Sequence, residues 1–298
     1  MEKKLVNPDQ LKQKNLLHIQ DVYKYYGDKL VLNDIDFSVA HRELCTVVGP
    51  SGCGKSTLLR LVLGQEHPTT GQIFIDNKPI GVTDKTRGIV YQKYSLYPHL
   101  TVLENVALGL CLNCGFIEEV RTRHKIKKEA RYFLDRVGLA SHEAKYPHEL
   151  SGGMQQRVAI AQAMITRPKI LMMDEPFGAL DPGTRESMQL FLLEVWEEFK
   201  MTVFFVTHDL EEALFLGTRV VVLSQYYSEG EGKDRKKGQG AKIVADYNLD
   251  KEAKSSAIKK NKDFVNLIYQ IRREGFDPEH LQYISEFNLK HPDSFQTI

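Results

Sequence analysis

The chain has 298 residues, and 42% of them are hydrophobic, which is enough to build one large α/β domain or two average domains. The 40 lysines and arginines nearly balance the 39 aspartates and glutamates, leaving a formal net charge of +1. No global positive field therefore exists to attract nucleic acid. The longest apolar stretches, such as residues 158–165, are far shorter than the roughly 20 residues that cross a bilayer. We expect a folded protein that neither binds nucleic acid nor itself spans a membrane.

Strand-like patterns follow a polar N-terminal segment, residues 1–15. Between residues 35 and 39 apolar and polar residues alternate, which is typical of a half-exposed antiparallel strand. Residues 44–48 form a nearly continuous apolar run, as in a strand buried on both faces. Residues 72–76 and 88–92 predict two further short strands because turn-forming residues separate them.

A glycine-rich loop links the buried strand 44–48 to a helix-forming run. Residues 49–56 fit the pattern G-x-x-x-x-G-K-[ST], in which backbone N–H groups and a helix N-terminus surround phosphate oxygens. Lys55 would neutralise the β- and γ-phosphates, and the Ser56 hydroxyl would ligate Mg²⁺. A turn without a ligand is the alternative, which the flanking strand and helix disfavour. The predicted nucleotide contacts are Gly49, Pro50, Ser51, Gly52, Cys53, Gly54, Lys55, Ser56 and Thr57.

Residues from about 95 to 168 change to helical periodicity and predict a helical subdomain inserted between β-forming regions. Apolar residues share a face in 103–110 and again in 130–137, and the charged run 121–128 is expected between these two helices. A solvated surface is the ordinary interpretation of that run, and contact with lipid headgroups is the alternative. Cys111 and Cys114 form a single C-x-x-C pair, which we interpret as packing thiols because no second metal-ligating pair accompanies it.

The second half of the chain alternates strands and helices. Residues 170–173 and 202–206 predict buried strands with a helix over 185–199 between them, so a parallel sheet is expected. The first of these strands delivers Asp174 and Glu175 at its C-terminal end, where ligands bind in open α/β sheets. Asp174 would hold Mg²⁺, and Glu175 would polarise an attacking water molecule. The alternative is that the two acids simply end a surface strand.

A further motif, residues 150–157, opens a helix. Ser151 is a candidate N-cap, and the two glycines that follow would let an anion approach the helix N-terminus. Taken alone this is equally an ordinary junction between a loop and a helix. The residues Leu-Ser-Gly-Gly-Met-Gln-Gln-Arg nevertheless resemble the signature motif of the ATP-binding-cassette (ABC) family, and the family's order of motifs covers roughly residues 16–250.

The resemblance implies a fold and a set of residue roles. The fold would be a P-loop NTPase (RecA-like) α/β core with a parallel sheet, an antiparallel β subdomain and the helical subdomain. Tyr26 would stack on adenine unless it is only an edge-strand tyrosine, Gln92 would reach Mg²⁺ and the attacking water, and Asp181 would communicate between two ATP sites. His208 would contact the γ-phosphate, a role that rests on the family order alone. The implied catalytic residues are Lys55, Gln92, Glu175 and His208; the Mg²⁺ ligands are Ser56, Gln92 and Asp174; and the signature contacts are Ser151, Gly152, Gly153 and Gln156.

The resemblance also implies an assembly. Two copies would sandwich two ATP molecules, and permease transmembrane subunits would bind near Gln92 and the helical subdomain at the cytoplasmic face of the membrane. Residues 174–181, with Met154 in the signature, resemble the ATPases of bacterial importers that work with a periplasmic or extracellular solute-binding protein. Residues 97–106 and 220–224 are most similar to the nitrate, sulfonate, taurine and bicarbonate group of these importers. This similarity predicts an ATP- and Mg²⁺-dependent peripheral subunit that powers import of a small anion. An ABC exporter, a lipid-transport ATPase or a soluble assembly ATPase is the alternative.

The C-terminal quarter changes in composition. Residues 228–240 are rich in glycine and charge and are interpreted as a flexible excursion. A short strand over 242–247 and an amphipathic helix over 252–273 follow, the helix lying in a C-terminal extension, 251–298. We interpret this extension as a packing brace or dimer contact, with a regulatory contact as the alternative.

Overall fold

The structure is a computed structural model that describes residues 15–92, 95–111, 116–230, 236–249, 259 and 261–289. The chain divides into two compact units. Unit 1 comprises Met1–Thr83 and Leu193–Ile298, and unit 2 comprises Asp84–Leu192. Among the helices of the described ranges, none combines the length and the apolar content needed to cross a membrane.

Unit 1 contains an antiparallel sheet with the strand order β2-β1-β4-β5. Its strands are β1 (Asn15–Tyr26), β2 (Lys29–Ala40), β4 (Thr70–Ile75) and β5 (Lys78–Pro79). The alternating residues Ile35, Phe37 and Val39 are all buried. The expectation of a half-exposed strand fails at Ser38, which is also buried. Its hydroxyl accepts a hydrogen bond from Asn15 Nδ2 at 2.9 Å, which satisfies this polar group inside the core.

The parallel strands of unit 1 hold its core. Strand β3 (Leu44–Val48) lies between β8 (Thr202–Thr207) and β9 (Arg219–Ser224) and pairs in parallel with both. Every residue of these three strands is buried, as continuous apolar runs predict. The predicted α/β fold with a parallel sheet is confirmed. Helices α1 (Lys55–Leu63) and α6 (Leu210–Leu216) follow β3 and β8, and β12 (Lys242–Asn248) pairs antiparallel with β9.

Unit 2 combines two parallel strands with helices. Strand β6 (Arg87–Tyr91) pairs in parallel with β7 (Ile170–Asp174), and the helices are α2 (Val102–Cys111), α3 (Phe116–Arg136), α4 (Gly152–Met164) and the first part of α5 (Pro182–Phe199). The charged run 121–128 lies within α3, which starts earlier than its apolar periodicity indicated. Helices α2 and α4 approach closely at Gly109, where a Cβ would lie 3.0 Å from the Gln162 carbonyl oxygen.

The segment expected to be a flexible excursion differs from that expectation in its described part. Strands β10 (Tyr227–Glu229) and β11 (Lys236–Lys237) pair antiparallel, and residues 231–235 lie outside the described residues. Tyr227 anchors the segment because it is fully buried and its hydroxyl donates to the Gln239 carbonyl oxygen at 2.8 Å and accepts from Asn33 Nδ2 at 2.9 Å. The composition of residues 228–240 did not predict this anchor, because the buried tyrosine lies immediately before the segment.

Helix α7 (Lys262–Gly275) is the described part of the predicted helix 252–273, of which residues 252–258 lie outside the described residues. It begins at Lys262 because the Asn261 side chain caps it, accepting from the Asp263 N–H at 3.0 Å. Phe264 and Ile271 pack into a cluster with Val222, Tyr227 and Val244. The Gly275 carbonyl oxygen accepts a hydrogen bond from the Ser224 hydroxyl at 2.6 Å. The helix thus packs against the end of β9. In the same unit the short strand β13 (Gln282–Tyr283) pairs with β10, and β14 (Asn288–Leu289) pairs with β12.

A buried ion pair joins β9 to β12. The Arg219 guanidinium donates to both carboxylate oxygens of Asp246, at 2.7 and 2.5 Å, and to the Ser38 carbonyl oxygen at 2.6 Å. Burial disfavours the charge, but the Asp246 carboxylate outweighs it and raises the pKa of Arg219. Both side chains are fully buried, so neither charge could lose its partner without a large cost.

Candidate functional site

The phosphate loop of unit 1 presents backbone groups and one buried cation. Gly54 is the N-cap residue of α1 and no side chain caps the helix, so the N–H groups of the first turn can face an anion. The Lys55 ammonium donates to the carbonyl oxygens of Gly49 and Pro50 at 2.7 and 3.0 Å. Within the described residues no carboxylate pairs with this 6%-exposed lysine. A buried ammonium held only by carbonyl oxygens fits an anionic ligand such as a phosphate chain.

Two glycines of this loop are required by space as well as by conformation. A Cβ at Gly49 would lie 2.1 Å from the Leu223 carbonyl oxygen, closer than any side chain can approach. Gly54 has φ +111°, and a Cβ there would lie 2.9 Å from Leu32 Cδ2. The loop is therefore fixed against the end of β9 on one side and against β2 on the other.

The remaining predicted residues of the loop divide into exposed and buried sets. Ser51, Gly52 and Ser56 are exposed. Cys53 is buried and its thiol donates to the Leu223 carbonyl oxygen at 3.4 Å, and burial raises its pKa. Thr57 is also buried, and its hydroxyl accepts from Arg60 at 3.3 Å. The exposed members can meet a ligand directly, whereas Cys53 and Thr57 shape the loop from behind.

The strand register of unit 1 places His208 beside the phosphate loop. Val48 pairs with Thr207 across the parallel β3–β8 ladder, so the next residues along each strand, Gly49 and His208, leave the sheet at the same edge. His208 is exposed. Asp209 caps α6 immediately afterwards by accepting from the N–H groups of residues 211 and 212, which fixes the turn that carries the histidine.

Tyr26, the predicted adenine contact, lies at the end of β1 with 43% of its surface exposed. Its hydroxyl donates to Glu66 Oε2 at 2.5 Å, and the Lys24 ammonium lies 5.0 Å from the centroid of its ring. The hydrogen bond from Tyr26 and those from Lys24 and Arg60 lower the pKa of Glu66. The tyrosine is thus held in position by a charged network that the sequence pattern did not indicate, with part of its surface open.

Unit 2 brings Gln92, Asp174 and Glu175 together at one strand edge. Tyr91 pairs with Asp174 in the parallel β6–β7 ladder, so Gln92 and Glu175 follow at the same edge of the sheet. A Cβ at Gly178 would lie 3.1 Å from Gln92 Nε2, which places the glutamine against the loop after Glu175. Glu175 has φ +45°, a conformation that non-glycine residues rarely adopt and that is typical of strained functional sites.

The signature residues lie elsewhere in unit 2, at the start of α4. Ser151 caps the helix by accepting from the Met154 N–H at 3.4 Å, as predicted for an N-cap. Gly152 follows it partly exposed, and a Cβ at Gly153 would lie 2.6 Å from Thr184 Cγ2, so a glycine is needed where α4 meets α5. Asp181 is exposed and its carboxylate accepts from the Thr184 N–H at 3.0 Å. The predicted signature and Asp181 loops therefore meet through Thr184.

Gln156 differs from its predicted role as a nucleotide contact. It is fully buried, and within the described residues neither amide atom has a hydrogen-bond partner. A side chain with no exposed surface cannot touch a nucleotide of a second copy. The helical period explains this, since Gln156 lies one turn from the buried Gly153 and Ile160 on the inner face of α4.

Comparison with known proteins decides the family. Residues 32–178 match the model of the ABC transporter family. The chain is 43% identical over 210 residues to an aliphatic sulfonates import ATP-binding protein of Bacillus thuringiensis, covering 69% of this chain and 80% of that one. It is 44% identical over 213 residues to a nitrate import ATP-binding protein of Synechocystis, covering 70% and 77%. The chain belongs to the ABC transporter family.

This membership confirms the predicted resemblance, including its similarity to nitrate and sulfonate importers, and makes the chain an ATP-hydrolysing ABC protein whose nucleotide is ATP. A solved structure agrees with the fold. Clostridium perfringens CbiO1, described as part of an ABC transporter complex, superposes with a TM-score of 0.68 at 26% identity, covering 87% of this chain and 95% of that one.

The donor atoms of this ABC protein also fit Mg²⁺. Mg²⁺ prefers oxygen ligands and retains several water molecules. Ser56 offers an exposed hydroxyl, Gln92 an exposed amide oxygen, and Asp174 a partly exposed carboxylate at the end of β7. The chemistry of these donors therefore suits a magnesium nucleotide, although each unit contributes only part of the set.

Proposed function

We propose that this ABC protein hydrolyses ATP to power the import of a small anion through a membrane permease. The observation that carries the proposal is the combination of a phosphate loop with a buried Lys55, in unit 1, and a carboxylate, Glu175, whose backbone has φ +45° at a strand edge of unit 2. The names of the relatives, which import aliphatic sulfonates and nitrate, support a small oxyanion as the solute.

The proposed roles of the side chains follow from their chemistry. Lys55 and the first-turn N–H groups of α1 bind the phosphates, and His208 contacts the γ-phosphate from the neighbouring strand. Ser56, Gln92 and Asp174 would hold Mg²⁺, which supplies positive charge to the phosphate oxygens when bound. Glu175 accepts a proton as a water oxygen bonds to the γ-phosphorus, while the bond to the ADP oxygen breaks.

The proposed assembly contains two copies of the chain. Ser151, Gly152 and Gly153 of one copy would complete the ATP site of the other, with Asp181 linking the two sites. ATP binding would then close the dimer and hydrolysis would release it, so that conformational change drives transport. The permease would bind near Gln92 and the helices of unit 2 at the cytoplasmic face of the membrane, and a solute-binding protein would deliver the anion.

Reconstitution tests this function. The tagged chain is purified from membranes, the polytopic protein that accompanies it is identified, and the complex is placed in vesicles with the solute-binding protein. We expect ATP hydrolysis to rise several-fold when nitrate or an alkanesulfonate is supplied on the binding-protein side, and the anion to enter with the same dependence on ATP. The Glu175→Gln complex is the control for hydrolysis. A hydrolysis rate that ignores both permease and anion would contradict the proposal.

A further inference from the structure

A cavity of about 490 Å³ opens in unit 2 next to the signature helix. It is lined by the turn that follows α3, the first turns of α4 and the first turns of α5. This volume lies in the range of roughly 300–1,000 Å³ that small-molecule sites occupy. Ser151 and Gly153 at its border have a proposed role in ATP binding, whereas the other lining residues have none.

The cavity wall carries an uncompensated positive charge. Arg157 donates to the Val137 carbonyl oxygen at 3.1 Å, and its guanidinium carbon lies 4.6 Å from the centroid of the Phe191 ring. These contacts hold the guanidinium in place without neutralising it. Among the described residues no carboxylate pairs with Arg157, and no Asp or Glu lines the cavity. A positioned guanidinium of this kind favours the oxygen atoms of an anion.

Within the described residues, a neutral side chain with a free ring nitrogen lines the same cavity. It is His142, since the N–H and the hydroxyl of Thr184 both hydrogen-bond to the Asp181 carboxylate. The His142 ring lies with Nδ1 3.0 Å from the Ser141 hydroxyl oxygen, which leaves Nε2 for another partner. A ligand with several oxygen acceptors could therefore bind to more than one group of the wall.

The rest of the wall is apolar. Leu139, Met154 and Met188 line the cavity, and Leu139 and Met188 are almost fully buried. Methionine side chains adapt to short, flexible apolar groups. We propose that the cavity binds a small organic anion, a carboxylate or sulfonate with a short alkyl chain, whose oxygen atoms contact Arg157 and whose chain packs against Met154 and Met188.

Calorimetric titration of the full chain tests the proposal with butane-1-sulfonate as the probe and butan-1-ol as its uncharged counterpart. We expect the sulfonate to bind and the alcohol to bind at least about tenfold more weakly, because a charge-assisted hydrogen bond is lost. Arg157→Gln should weaken sulfonate binding by roughly tenfold to a hundredfold for the same reason. Binding to the bare chain requires no transport, so failure here leaves the proposed function intact.

A matched pair of variants at Ser187 keeps the test independent of Arg157. Ser187 is exposed at the cavity border, and its hydroxyl donates to the Gly183 carbonyl oxygen. Ser187→Trp should fill the cavity and abolish sulfonate binding, whereas Ser187→Ala should retain it. Thermal unfolding confirms that each variant is folded. The proposal is overturned if the wild-type chain does not bind the sulfonate, if sulfonate and alcohol bind equally, or if Ser187→Trp binds as tightly as Ser187→Ala.

Discussion

The two units present functional groups at strand ends in different ways. In unit 1 the edge after β3 is built from backbone N–H groups and from Lys55, which is buried against loop carbonyl oxygens. In unit 2 the edge after β6 and β7 is built from side chains that are at least partly exposed, Gln92, Asp174 and Glu175. The atoms that would bind phosphate in unit 1 also form the fold, whereas those of unit 2 can be changed without disturbing a core. Substitutions should therefore separate chemistry from folding in unit 2 alone.

The largest effect is expected from Glu175→Gln. Removing a general base should lower the hydrolysis rate by about a hundredfold to ten-thousandfold. Glutamine has nearly the same shape and the site is partly exposed, so ATP binding and the unfolding midpoint should not change. Hydrolysis is measured by phosphate release and binding by calorimetry, with Glu194→Gln, an exposed acid on α5, as the control.

Glu175→Gln also tests whether two ATP-bound copies form a dimer. With ATP bound and hydrolysis blocked, light scattering should detect a stable dimer of Glu175→Gln chains. A monomer that demonstrably holds ATP would argue against a site shared between two copies.

Removing an ion pair should lower the free energy of unfolding more in unit 1 than in unit 2. Asp246→Ala removes the partner that binds the buried Arg219 guanidinium of unit 1 through two hydrogen bonds and leaves the more distant Glu43 carboxylate, at 3.7 Å. We expect the free energy of unfolding to fall by about 3 kcal/mol. The matched change in unit 2 is Glu143→Ala, which removes an ion pair with Arg131, a side chain that is 54% exposed. Because solvent screens that pair, its loss should lower the free energy of unfolding far less than the loss of the buried pair. Urea denaturation measures both, and equal losses would show that burial does not distinguish the pairs.

Two glycines of the phosphate loop in unit 1 should differ in how strongly a substitution weakens ATP binding. A Cβ at Gly49 would overlap the Leu223 carbonyl oxygen, so Gly49→Ala must displace the loop or β9. An overpacking cost of about 3 kcal/mol would weaken ATP binding more than a hundredfold. At Gly52 a Cβ would meet no atom within 4 Å, but φ is +76°, so Gly52→Ala should cost only about 1 kcal/mol. Calorimetry with ATP compares the two, and equal weakening would mean that the close approach at Gly49 is unimportant.

The difference between the edges also explains what the sequence could predict. The strand, loop and helix of residues 44–63 were predictable because glycine spacing, a continuous apolar run and helical periodicity all describe local backbone. Residues 170–175 were predictable for the same reason. The burial of Gln156 was not, because a motif identifies residue types but does not show which face of α4 packs inward.

Features that join distant parts of the chain also escaped prediction. The Arg219–Asp246 pair, the anchoring of Tyr227 by Asn33 and the wall of the cavity at Arg157 each depend on residues brought together by tertiary packing. Each leaves only isolated polar or aromatic residues in the sequence. Hydrophobic periodicity predicts local helices and strands, and it cannot predict a contact between two residues that are far apart in the sequence.

A half-buried carboxylate in unit 1 should make the stability of the protein depend on pH. Asp36 of unit 1 lies beside Asp21 and Asp34. Burial, together with repulsion from these two carboxylates, raises the pKa of Asp36 from 3.8 to about 6, against the opposing effect of a hydrogen bond from the Asp21 N–H. Between pH 4 and 6 the unfolded chain loses this proton first, so wild-type stability should fall as pH rises through that window. Asp36→Asn keeps the acceptor oxygen and removes the charge. Allowing for partial exposure, it should stabilise the protein by about 1 kcal/mol at pH 7 and by nothing below pH 4 in urea denaturation. A stability difference that stays constant across these pH values would mean that Asp36 ionises normally.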